Sequence, residues 1–180
     1  MGRQGERKRM NVKHSLALIV IAALIPMFAA TAVAVPSGAV VAPADNATVE
    51  VLESNSDFVN HIHVWGPHAD LEVTDDETGE TRSLTTKAGK EIKLEIRSTL
   101  GGVEQGIWRS GPAERNPDGA VHAIVTANLD GSCLLVEFED TEASGWADDP
   151  DEPNYVDAVF WVYPDSLDFD TSQCPEPASV

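Results

Sequence analysis

The sequence predicts an all-β domain, an antiparallel β-sandwich of about eight or nine strands. Three observations carry this. Short runs rich in β-branched and aromatic residues recur along the chain, separated by Gly, Pro, Asp and Asn. Residues 90–97 (KEIKLEIR) alternate, with Ile92, Leu94 and Ile96 on one side and Lys93, Glu95 and Arg97 on the other, as in a strand wet on one face. No run of ten or more residues carries helical periodicity with a cap.

The elements follow in order. Arg3, Arg7, Lys8, Arg9 and Lys13 form a basic start, an apolar stretch runs from Leu16 to about Ala30, and Ala32-Val33-Ala34 offers small residues for cleavage. That layout reads as a secretory signal over residues 1–34. Its apolar core is short for a span and is interrupted by Pro26; an uncleaved membrane anchor is the alternative. Residues 35–48 are small, Pro-bearing and aperiodic, and read as a linker before a sandwich domain over 49–164 and a tail over 165–180. Candidate strands are 49–53, 58–65, 71–74, 82–86, 90–97, 103–109, 120–128, 133–139 and 158–163. Asp130-Gly131 marks a hairpin between 120–128 and 133–139. Residues 158–163 (AVFWVY) are apolar on both faces, so this strand is expected to be central and covered on both sides.

Charge narrows the partners. The chain has 180 residues and a net charge of −18. Removing the signal takes away five basic residues and one acid, leaving seven Lys and Arg against 29 Asp and Glu, a balance of −22. Such a surface repels nucleic acid and anionic lipid, attracts cations, and also suits a high-salt habitat. No Lys or Arg follows Arg115, whereas 15 acids do. The even pair Cys133 and Cys174 points to a disulfide in an exported protein, closing a loop of about 40 residues worth roughly 4 kcal/mol in the chain-entropy model.

Nine of the 21 residues 137–157 are Asp or Glu. Glu139 and Asp140 end one candidate strand and Asp157 precedes the next, so if the two strands are neighbours these acids share a rim. Beside Phe138 and Phe160 they are partly desolvated, and such acids need a partner or a raised pKa. A metal-ligand role is therefore expected for Glu139, Asp140 and Asp157, whereas Asp148, Asp149, Asp151 and Glu152 read as solvated. Calcium takes six to eight oxygens, and this loop has the ligand types without the EF-hand spacing.

The strings NPDGAVH (116–122), LLVEFED (134–140) and NYVDAVFWV (154–162) resemble a family of secreted bacterial domains catalogued as domain of unknown function 4114. Its pattern is an N-P-D-G turn followed by His, a strand ending in F/W-E-D, a variable loop, and D-Y/F-N-D leading an apolar strand. The resemblance covers about residues 50–163. It implies an extracellular β-sandwich module often attached to larger surface proteins, and it leaves calcium binding and an enzymic role both open. By position it carries over Asp118, Glu139, Asp140 and Asp157, with Asn154 as a fifth. Two positions depart from the pattern: Asn154 stands where the family has Asp, and Val156 where it has Asn.

Other constellations are weighed against it. His61 and His63 project from one strand face, with His68 beyond a Gly-Pro turn; the reading adopted is a half-exposed strand with polar residues outward, not a zinc or copper site. His122 is expected to orient a loop by a hydrogen bond. Trp161 is expected in the core, whereas Trp146, in the acidic loop, is the candidate for an alternative reading as a carbohydrate-binding module. A glycoside hydrolase-like use of paired carboxylates is a second alternative. Ser110 and Ser132 lack a nucleophile-elbow pattern. The expected function is a secreted, non-catalytic, acidic module that binds calcium at one rim and serves an adhesive or structural surface role, with surface proteins or polysaccharide as partners.

Overall fold

The computed structural model describes residues 33–35, 38–53, 56–64, 72–74, 78–148 and 153–177. The expected signal up to residue 32 lies outside the described residues, as do Trp65, His68, Asp149, Asp151 and Glu152. The strands are β1 (Val33–Val35), β2 (Val40–Val41), β3 (Ala47–Glu53), β4 (Val59–Val64), β5 (Glu72–Thr74), β6 (Thr81–Leu84), β7 (Glu91–Ile92), β8 (Leu94–Leu100), β9 (Val103–Arg109), β10 (Ala123–Ala127), β11 (Leu134–Phe138) and β12 (Ala158–Pro164). The fold is all-β, and eight of these strands are four residues or longer. One sheet has the order β1-β10-β11-β12-β3-β6, a second β5-β4-β8-β9, and β2 pairs with β7. Every pairing is antiparallel, consistent with a β-sandwich. Each run expected from the sequence contains a strand.

The alternation of residues 90–97 places Ile92, Leu94 and Ile96 in the core, which they share with Ile62 of β4 and with Val136, Phe138 and Phe160 of the other sheet. The chain pauses at Lys93, so β7 and β8 are separate strands. The expected wet face is only partly wet. Glu95 is buried because Arg97 Nε (3.0 Å) and Arg109 Nε (2.9 Å) both donate to its carboxylate. Their apolar stems cover what the alternation alone would leave in water.

β12 lies between β11 and β3, as its two-sided apolarity requires. Its outer face is covered by the tail. Trp161 Nε1 donates to Pro175 O (2.8 Å), Tyr163 stacks on Phe169 with centroids 5.2 Å apart, and Cys133 is bonded to Cys174. Trp161, expected in the core, is half-buried beneath the tail, packed against two smaller buried clusters outside the main one.

The stretch read as a linker is largely part of the fold. Val40 and Ala42 belong to the core, β2 pairs with β7, and β3 starts at Ala47. The expected cleavage point falls inside β1, which pairs with β10. A two-residue strand is too short to show a period, so composition alone suggested a linker. Gly38 makes the close approach possible: its φ is +59°, and a Cβ there would fall 2.4 Å from Ala123 O.

The disulfide holds the tail over β12, so replacing both cysteines by Ser is expected to cost about 4 kcal/mol. In a thermal melt that is a midpoint lower by roughly 10 °C; an unchanged midpoint would mean that the crosslink adds nothing to the tail's other contacts.

Candidate metal centre

Strand register builds the site. Phe138 pairs with Ala158, so the residues that follow β11 and the residue that precedes β12 meet at one end of the sandwich. Asp157 N donates to Phe138 O (3.1 Å), and Asp140 N donates to Asp157 Oδ2 (2.8 Å). Glu139, Asp140 and Asp157 are 0%, 2% and 4% exposed, and each offers a carboxylate oxygen within 4.8 Å of the others.

Neighbouring groups aim these carboxylates. Thr141 donates to Glu139 Oε1 from its backbone N (3.0 Å) and its hydroxyl (2.6 Å), and Asn154 N donates to Oε2 (3.1 Å). Asn60 Nδ2 (2.6 Å) and the Ser56 hydroxyl donate to Asp140 Oδ2. Two unit charges 4.8 Å apart repel by about 3 kcal/mol at an effective dielectric near 20. Burial and this repulsion act together. Asp140 is raised above the ordinary carboxyl range, chiefly by burial and then by Glu139, against the lowering by Ser56 and Asn60. Asp157 is pushed up to about 9, first by burial and then by the Asp140 charge.

A brace holds the rim from behind. His122 is fully buried, with Nδ1 2.9 Å from Glu139 O and Nε2 2.8 Å from Asp118 Oδ2, so both ring nitrogens face acceptors. Its ring stacks on Trp108 with centroids 4.1 Å apart. Asp118 also accepts from Ala120 N (3.0 Å) and Ala143 N (2.9 Å). Burial works against its charge, but these bonds and His122 outweigh it and hold Asp118 below the usual range. Tyr155 adopts φ 58°, a costly conformation for a bulky residue, while its hydroxyl donates to Val121 O (2.9 Å).

Three of the five residues selected from sequence thus converge, and two take other positions. Asp118 serves the His122 brace and lies outside the trio. Asn154 turns its side-chain oxygen onto Val156 N (2.9 Å) and steadies Glu139 through its backbone. Val156, the other departure from the family pattern, is buried with Leu135 and Val159 in a small apolar cluster. Trp146 is half-buried; its indole N–H donates to Thr141 Oγ1 (3.1 Å), and its ring tilts against His122 and Tyr155. It pins the loop. Asp148 is exposed.

Sequence reasoning missed Asn60 and Ser56. The signal for Asn60 was present: in the strand Asn60–His61–Ile62–His63–Val64, the inward register of Ile62 and Val64 also includes Asn60, and a polar residue there needs a buried partner. The histidines face outward, paired across strands with Arg97 and Glu95.

A scan of family models, a search of curated proteins and a search of solved structures each found no match to this chain.

The folded chain keeps a proton on Asp157 up to about pH 9, whereas the unfolded chain releases it near pH 4. The folded state thus binds more protons across that window, and without metal its stability is expected to fall as pH rises from about 4 to about 9. Asp157→Asn should flatten this slope in chelator-treated melts; an equal slope in the variant would place the proton elsewhere.

Proposed function

We propose that this chain is a secreted, non-catalytic β-sandwich module that binds calcium at the Glu139–Asp140–Asp157 rim and serves an adhesive or structural role at the cell surface. The observation that carries the reading is the meeting of three buried carboxylates from two strand ends, with ligand oxygens within 4.8 Å of one another. Such a group is stable either by holding protons or by sharing a cation. The donor set is all oxygen, which favours a hard cation. Calcium tolerates an irregular oxygen shell completed by water, whereas magnesium demands near-octahedral ligands. Bridging the ends of β11 and β12, the ion would fix the loop between them.

The disulfide fits an oxidising compartment, and no helix among the described residues is long and apolar enough to cross a membrane. The resemblance to the domain of unknown function 4114 family joins this reading as a proposal. The motif residues Asp118, His122, Glu139, Asp140 and Asp157 all lie at one rim, which gives the three separated strings a common purpose.

The test is a thermal melt in chelator, calcium or magnesium at fixed ionic strength. Calcium well above its dissociation constant is expected to raise the midpoint by roughly 5–10 °C. Glu139→Gln and Asp157→Asn should each remove most of that rise. Calcium and magnesium acting alike, and only where sodium also acts, would replace this reading with non-specific halophilic acidity.

A further inference from the structure

A cleft of about 770 Å³ opens on the outer face of the six-stranded sheet, within the size range of ligand pockets. Strand alternation makes its floor. Leu134, Val136 and Phe138 of β11 enter the inter-sheet core, so Leu135 and Glu137 point to the other face, where Thr126 of β10 pairs with Leu135. One wall is the β10–β11 turn at Leu129 and Asp130, and the other is the tail from Ser172 to Glu176. We infer that this cleft takes a short cationic segment of a partner protein, a lysine or arginine flanked by apolar residues. The hairpin wall stands at the end of β11 opposite the carboxylate rim, and the inference does not depend on the calcium reading.

The walls are fixed before a partner arrives. Cys174 is bonded to Cys133, Asn128 Nδ2 donates to Gln173 O (3.3 Å), and Trp161 Nε1 donates to Pro175 O (2.8 Å), so hairpin, tail and sheet are tied together. A pre-organised cleft spares its ligand the cost of ordering the site. Its floor and one wall are apolar at Leu135 and at Leu129, which is 65% exposed.

Charge selects the occupant. Asp130, Glu137 and Glu176 line the cleft, and no Lys, Arg or His among the described residues does. Asp130 and Glu176 are exposed and belong to opposite walls. Ser132 donates to Asp130 Oδ1 from its hydroxyl (2.6 Å) and its backbone N (2.9 Å), and these bonds hold Asp130 below the usual carboxyl range, hence charged. Nothing in the lining answers an anion, and the field of a chain with net charge −18 draws cations. A lysine or arginine side chain meets both halves of the cleft: its aliphatic stem covers Leu129 and Leu135 while its charged head stays in water beside the exposed acids.

The test is a titration of the isotope-labelled intact protein, followed by amide chemical shifts, with the peptides acetyl-Leu-Lys-Leu-amide and acetyl-Leu-Gln-Leu-amide. The lysine peptide is expected to shift the amides of Leu129, Asp130, Gln173 and Glu176 at about millimolar concentration, and the glutamine peptide to bind roughly fivefold more weakly. Glu176→Gln and Leu129→Ala, both at exposed positions, should each weaken the lysine peptide about threefold and leave the melting midpoint unchanged. Equal binding of the two peptides would make the cleft a neutral apolar site. Shifts centred on residues 139–148 would assign the peptide to the general acidity of the surface, and no shift at all would mean that the cleft takes no basic segment. Each of these three outcomes overturns the inference, and none bears on the calcium melts.

Discussion

Antiparallel pairing of β11 with β12 obliges Glu139, Asp140 and Asp157 to share one end of the sandwich, where packing denies them water. Three carboxylates in such a place repel one another and lose their hydration together. Much of the surrounding architecture answers that constraint. Thr141 and the backbone of Asn154 hold Glu139, Ser56 and Asn60 hold Asp140, and Asp140 N holds Asp157. All of these donors are neutral. They orient the carboxylates and moderate the repulsion without cancelling it, which is why Asp140 and Asp157 stay raised.

Behind the trio stands a second polar layer that differs in kind. Asp118 and His122 satisfy each other, and Trp108 and Trp146 pack against the His122 ring, with Tyr155 against Trp146. This layer ties the turn at residues 116–122 to the start of the acidic loop through Ala143 N. It works as a brace: His122 reaches Glu139 through the main-chain oxygen, not through the carboxylate. Tyr155, held at positive φ, sits where the chain turns back from Asn154 toward Asp157, and strain of this kind persists only where its surroundings fix it.

Charge is divided along the chain. The described arginine and lysine ion pairs involve Arg82, Lys87, Arg97, Arg109 and Arg115, and two of these arginines converge on buried Glu95 of the four-stranded sheet. The segment after Arg115 has no Lys or Arg of its own. The rim therefore keeps a negative field that cations can answer, while the opposite sheet pairs its buried Glu95 internally.

The sequence by itself determined the strand content, because alternation in residues 90–97 and two-sided apolarity in 158–163 are local consequences of the period-2 geometry of a strand. It also pointed to the disulfide and to Glu139, Asp140 and Asp157, since acids abutting Phe138 and Phe160 must either be paired or change their protonation. Tertiary structure decided the rest. Whether Asp118 and Asn154 join the trio depends on loop paths, and each found nearer partners in His122 and in Val156 N. That Val40 and Ala42 enter the core, and that Asn60 reaches Asp140 from the other sheet, depends on contacts between residues far apart in the chain, which no local pattern encodes.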